Sequence, residues 1–152
     1  ILSLSRTPSN FTNEFIFKIS SGKVKFWDYS TQIGFSHQNS NRSQTSVNDG
    51  NWKFITFTKD ITTGRYYVNG IADNNNPVTA SRNVDYGDDN LIIGKDWRDN
   101  NDIFVGSIGA VYLYTKTLSQ DEITQNYNAT KSRYGHWIIE VQHRKPQHYH
   151  QA

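Results

Sequence analysis

Asn51-Trp52-Lys53-Phe54-Ile55-Thr56-Phe57-Thr58, Arg65-Tyr66-Tyr67-Val68-Asn69-Gly70-Ile71-Ala72, Leu91-Ile92-Ile93-Gly94 and Phe104-Val105-Gly106-Ser107-Ile108-Gly109-Ala110-Val111-Tyr112-Leu113-Tyr114 together decide the fold of this chain. Each is a short run of β-branched and aromatic residues interrupted or ended by one that tolerates positive φ, the pattern of antiparallel strands joined by tight turns. Asn69-Gly70 is the sharpest of these signals, because a type I′ hairpin turn needs positive φ at both central positions. The middle of the protein therefore reads as antiparallel sheet, with residues 104–108 and 109–114 expected as its last two strands. Trp52 and Tyr67 read as packing residues on core strands.

The same reading extends outward. Residues 1–4 form a short β-run ended by the turn Thr7-Pro8-Ser9-Asn10. Phe15, Phe17 and Ile19 alternate with Ile16, Lys18 and Ser20, and Ser21-Gly22 then turns the chain into Val24, Phe26 and Tyr29, so this segment is expected as a hairpin. Trp27 and Tyr29 either line a sheet face or are buried. Residues 32–35 are expected as one more short strand, residues 38–48 as an exposed polar loop, and residues 73–77 as another loop. One helix is signalled by the capping box Ser119-Gln120-Asp121-Glu122, with Ile123 and Tyr127 on one face and an end near residues 129–132. Residues 137–141 are expected as a further strand or as unrelated sequence, followed by a basic tail.

Composition narrows the class. The chain has 152 residues, 35% hydrophobic but 14% aromatic, so one domain is expected whose core volume comes largely from rings. Its net charge of +2, from interspersed signs, leaves no electrostatic footprint for nucleic acid. Asp dominates the acids, which suits a turn-rich β-protein. No Cys is present, which excludes disulfides and thiolate metal sites. The longest apolar runs are far too short to cross a bilayer as a helix, so membrane insertion is not expected. With no Met even at position 1, the chain reads as a piece of a longer protein.

Taken in order, the segments above, with Gly50-Asn51-Trp52 ahead of them and Leu118-Ser119-Gln120-Asp121-Glu122-Ile123 behind, resemble the concanavalin A-like, laminin G-like domains of the lectin and glucanase superfamily. The resemblance covers roughly residues 1–135, leaving 136–152 as an extra strand and basic tail. It implies an all-β, jelly-roll-like sandwich of two antiparallel sheets with one short C-terminal helix, whose rim loops bind sugars or proteins in many members. Residues 125–135 are also similar to the ending of such domains in virion proteins of marine tailed phages. Members usually begin with further strands before the equivalent of residues 1–4; without them strand edges stay open, which invites pairing with another copy or another chain.

The candidate sites follow from these loops. Glucanase chemistry needs two carboxylates about 5 Å apart, and this chain has no Glu-x-Asp-x-x-Glu run: Glu14 is alone, Glu122 caps a helix and Glu140 lies in the tail. No enzyme is expected. The loop between the strands at 91–94 and 104–108 carries Asp96, Asp99 and Asp102, hard oxygen donors of the kind calcium takes, or else simply turn residues; Asp85, Asp88 and Asp89 form a second cluster. An exposed Trp97 would stack on the face of a sugar ring while Arg98, Asp99 and Asn100 take its hydroxyls; the alternative is that Trp97 folds back as a lid. His136, His143, His148 and His150 form a histidine-rich tail, and Asn10-Phe11-Thr12, Asn41-Arg42-Ser43 and Asn128-Ala129-Thr130 match the N-glycosylation pattern. The expected role is a non-catalytic carbohydrate-binding or adhesion domain of a larger secreted or virion surface protein. The alternative is an assembly module with protein partners and no sugar site.

Overall fold

The computed structural model describes residues 2–5, 14–29, 41–61, 63–79, 90–95 and 103–135. In chain order these form β1 (Leu2–Ser5), β2 (Glu14–Ser20), β3 (Lys23–Tyr29), β4 (Arg42–Ser46), β5 (Ile55–Asp60), β6 (Thr63–Val68), β7 (Ile71–Ala72), β8 (Val78–Thr79), β9 (Asn90–Ile93), α1 (Gln120–Thr130) and a 3₁₀ turn (Lys131–Tyr134). Two antiparallel sheets result. One has the order β4-β3-β2-β1-β9; the other runs β5-β6-β7, with β8 also on β6.

Local chemistry accounts for the turns. Ser21 and Gly22, at φ 50° and 73°, close the β2–β3 hairpin in the register Ser20↔Lys23, and Asn69 and Gly70, at φ 53° and 78°, close β6–β7 as Val68↔Ile71. Asn69 also accepts the Phe54 amide on its side-chain oxygen at 3.0 Å, so the turn residue ties down the entry to β5. The expected capping box starts α1: Ser119 Oγ accepts from the Glu122 amide at 3.2 Å, and Glu122 Oε2 accepts from the Ser119 amide at 2.9 Å.

The sheets face each other across rings. Phe26 of β3 stacks on Phe57 of β5 at 4.1 Å between centroids, Phe57 meets Tyr66 of β6 at 4.8 Å, and Val24, Val47, Val68 and Val78 fill the remainder. Because side chains alternate along a strand, Tyr67 points away from this core and packs with Leu118, Ile123 and Phe54 beneath α1. Strand β6 is thus covered on both faces, by the first sheet on one side and by α1 on the other.

Three expectations change. Residues 42–46, read as loop, are strand β4. Their sequence shows no apolar alternation; what fixes them is tertiary, since Asp73 accepts the amides of Gln44 and Thr45 at 2.7 and 2.9 Å while Ser43 Oγ accepts that of Val24 at 2.9 Å. Trp52, read as core, precedes β5, is 41% exposed and meets Tyr134 ring to ring at 4.9 Å. Residues 104–114, read as two strands, pair with no strand among the described residues beyond the bridge Lys95↔Ile103. The run has the right residues for a strand but no paired neighbour among the described residues, and Gly106, at φ 154°, breaks the pleat in a conformation open mainly to glycine. The expected strands at 32–35 and 137–141 lie outside the described residues.

Candidate functional site

The loop nominated from sequence has a well-defined base. Gly94, at φ 93°, turns the chain out of β9. Lys95 and Ile103 then form an antiparallel bridge, and the Phe104 amide donates to the Gly94 carbonyl at 2.7 Å. Residues 95 and 103 are therefore held side by side, and the chain between them must leave and return at one point. A second tie runs into the sheet: Ser3, fully buried on β1, donates its hydroxyl to the Lys95 carbonyl at 2.9 Å. Ser3 pairs with Ile92 on one side and Ile16 on the other. The stem is thus anchored to the interior of the first sheet rather than to its rim.

Sequence reasoning did not single out Ser3. A small hydroxyl residue set between Leu2 and Leu4 in a β-run is the available signal, because a buried hydroxyl needs a partner. The nominated side chains themselves, Trp97, Arg98, Asp99 and Asn100 for a glycan and Asp96, Asp99 and Asp102 for calcium, lie outside the described residues. So do Asp85, Asp88, Asp89 and the histidines at 136, 143, 148 and 150. Among the described residues no three His, Asp or Glu side chains come together in a way that would hold a metal ion.

Two of the described carboxylates, Glu122 and Asp73, hold parts of the fold together. Glu122 is shared between the helix cap and Lys116, and the Lys116 ammonium and the Ser119 amide hold its carboxyl below the usual range. Asp73 is 5% exposed. Burial pushes its carboxyl up, but the amides of Gln44, Asn75 and Thr45 more than offset this, and it stays below the ordinary value.

Two further features stand out. Residues 103–114 expose Val105, Tyr112, Leu113 and Tyr114, Val105 to 88%, with no charged residue among them. On the first sheet, Lys18, Lys25 and Arg42 are cross-strand partners in succession, Lys18↔Lys25 and Lys25↔Arg42. Burial, then Lys18, then Arg42, lower the affinity of the Lys25 amine for its proton.

Among known proteins, the family model described as the concanavalin A-like lectin/glucanases superfamily (Laminin_G_3) matches residues 3–124. No curated protein matches the chain. A crystal structure of residues 221–444 of an S-layer domain-containing protein from Clostridium thermocellum ATCC 27405 is similar, with 25% sequence identity and a TM-score of 0.45, over 82% of this chain and 60% of that one. This chain thus spans 60% of the length of that structure.

Proposed function

Because the chain belongs to the concanavalin A-like lectin/glucanases superfamily, we propose that it is a non-catalytic recognition domain of a larger secreted or virion surface protein, binding carbohydrate through the loop at residues 96–102. The observation that carries this reading is the anchored stem. A loop that binds must keep its contact residues in place, or ordering them consumes the binding energy. Here the bridge at Lys95 and Ile103 and the buried Ser3 hydroxyl fix both ends of the loop. Between those ends the sequence supplies an indole, a guanidinium, an amide and carboxylates, the groups that stack on a sugar ring and bond its hydroxyls. Asp96, Asp99 and Asp102 would hold calcium and order the loop further. The superfamily includes glucanases, but this sequence has no Glu-x-Asp-x-x-Glu run of the kind that supplies their carboxylate pair.

A glycan array probed with and without EDTA tests the proposal. Binding to a defined set of glycans, weakened by the chelator, is the expected result; no binding to any glycan would sink the sugar-binding reading. The exposed uncharged run at 103–114 supports a second reading, an assembly module with protein partners. For that reading the expected result is a concentration-dependent oligomer in sedimentation velocity that Val105→Asp and Leu113→Asp dissociate.

A further inference from the structure

Strand β5 pairs only with β6 among the described residues, so its other edge is open. Backbone groups alternate sides along a strand. Phe54, just ahead of β5, bonds Asn69 through both its amide and its carbonyl, so Phe54, Thr56 and Thr58 turn their backbone groups toward β6. Ile55, Phe57 and Lys59 turn theirs to the open side. The Lys59 carbonyl follows this pattern, accepting the Thr117 hydroxyl at 2.8 Å.

Residues 109–117 run along this edge. Thr117 sits at the Lys59 end. At the other end Tyr134 lies between Trp52, 4.9 Å away ring to ring, and Gly109, where a Cβ would collide with its ring. Both segments therefore run from the Trp52 end to the Lys59 end, and if extended they match in length, about 23 Å from 52 to 59 and about 26 Å from 109 to 117. Neither tie is a ladder hydrogen bond; each passes through a side chain. The run pairs with no strand among the described residues, and Tyr112, Leu113 and Tyr114 stay exposed along it.

The chain itself returns to this place. Helix α1 starts at the Lys59 end, just after Thr117, and packs Ile123 against Tyr67 and Tyr127 against Phe54 on the outer face of the second sheet. The 3₁₀ turn then brings Tyr134 back to the Trp52 end, and Gly135, at φ 78°, closes it. Next in sequence is Trp137-Ile138-Ile139-Glu140-Val141, which as a strand spans about 17 Å against roughly 20 Å for β5. Trp137, Ile139 and Val141 alternate with Ile138 and Glu140, so one face of that strand is wholly apolar. The core between the sheets can take such a face, since Phe17, Phe26, Ile55 and Phe57 are only partly buried there.

Handedness selects the position. A strand, a helix and a parallel strand make a βαβ crossover, which is right-handed in about 98% of cases. Seen from α1 with β5 running upward, Phe54 points its side chain at the viewer and its backbone groups at β6; for an L-residue this puts β6 on the right and the open edge on the left. Residues 109–117 lie further left. A right-handed return from α1 therefore lands between them and β5, whereas a return outside the run would be left-handed.

We propose that residues 137–141 form a strand filling the position between β5 and residues 109–117, parallel to both. The proposal rests on neither the glycan reading nor the assembly reading.

Native-state hydrogen exchange of the full chain tests it, with the alternation of β5 as the internal control. The Thr56 and Thr58 amides face β6 and are expected to be protected in any case. The Ile55 and Phe57 amides face the open side, and are expected to exchange at least about a hundredfold slower than in an unstructured chain, in a species that sedimentation velocity shows to be monomeric. Ile139→Asp is expected to remove that protection and leave Thr56 and Thr58 protected, while Glu140→Gln, on the opposite face, leaves all four amides unchanged. Should Ile139→Asp release all four, Ile139→Ala is read in its place and is expected to speed Ile55 and Phe57 about tenfold more than Thr56 and Thr58. Free exchange at Ile55 and Phe57 beside protected Thr56 and Thr58 overturns the proposal. So does protection that both Ile139 variants leave intact, or that Ile139→Ala reduces equally at all four positions. Protection found only in a concentration-dependent oligomer also overturns it, and assigns the position to a strand from a second copy.

Discussion

Tyr66 is the residue on which both sheets depend. The pairing of β3 with β4 runs from Lys23↔Ser46 to Lys25↔Arg42, so the Phe26 amide lies just past the end of that ladder. The Tyr66 hydroxyl, reaching from the other sheet, accepts the Phe26 amide at 2.8 Å and donates to the Asn41 carbonyl at 2.9 Å. Tyr66→Phe keeps the ring but orphans both groups, and is expected to cost about 2 kcal/mol in urea unfolding. Asp73 plays the same part for β4. Its depressed pKa means that its stabilisation is present above the unfolded carboxyl's pKa, about 3.9, and is lost as pH falls through the lower folded value. The Tm of the parent chain is therefore expected to fall below about pH 4, and Asp73→Asn to flatten that part of the profile. Neither role was legible in the sequence. Tyr66 and Tyr67 are adjacent tyrosines, and only the sheet shows that one faces the other sheet while its neighbour faces the helix.

Elements whose determinants are local were legible in the sequence. The hairpins β2–β3 and β6–β7 were marked by residues that accept positive φ, and α1 by a capping box that needs four consecutive residues and no partner. Elements that depend on another part of the chain were not. RSQTS becomes a strand because of Ser43 and a distant aspartate, while FVGSIGAVYLY has strand composition and no strand beside it among the described residues. Gly70 links the two kinds. At φ 78° it closes the turn, its carbonyl accepts from Gln120 Nε2 at 2.6 Å, and a Cβ there would sit 3.2 Å from Tyr127. Gly70→Ala is expected to destabilise by about 1 to 2 kcal/mol from the backbone alone. Native-state hydrogen exchange should show the loss at β6–β7 and at α1 together.

At the scale of the molecule, the order of weak motifs was enough to predict the sandwich, and the family match over residues 3–124 agrees with it. Function is less evenly written. Loop residues carry chemistry without periodicity, so residues 96–102 could be nominated from composition alone. What holds the stem, the buried hydroxyl of Ser3, comes from a strand some ninety residues away in sequence, where only a three-dimensional register reveals it. The open edge of β5 was equally hidden, since only the contacts of Thr117 with Lys59 and of Tyr134 with Trp52 set residues 109–117 alongside that strand. The central claim is that a fixed sandwich carries its sugar contacts on the loop at 96–102. The most direct measurement is the affinity of Trp97→Ala for the tightest-binding neutral glycan of the parent chain, taken together with its Tm. The account predicts affinity lower by about tenfold or more with Tm unchanged; unchanged affinity would contradict it.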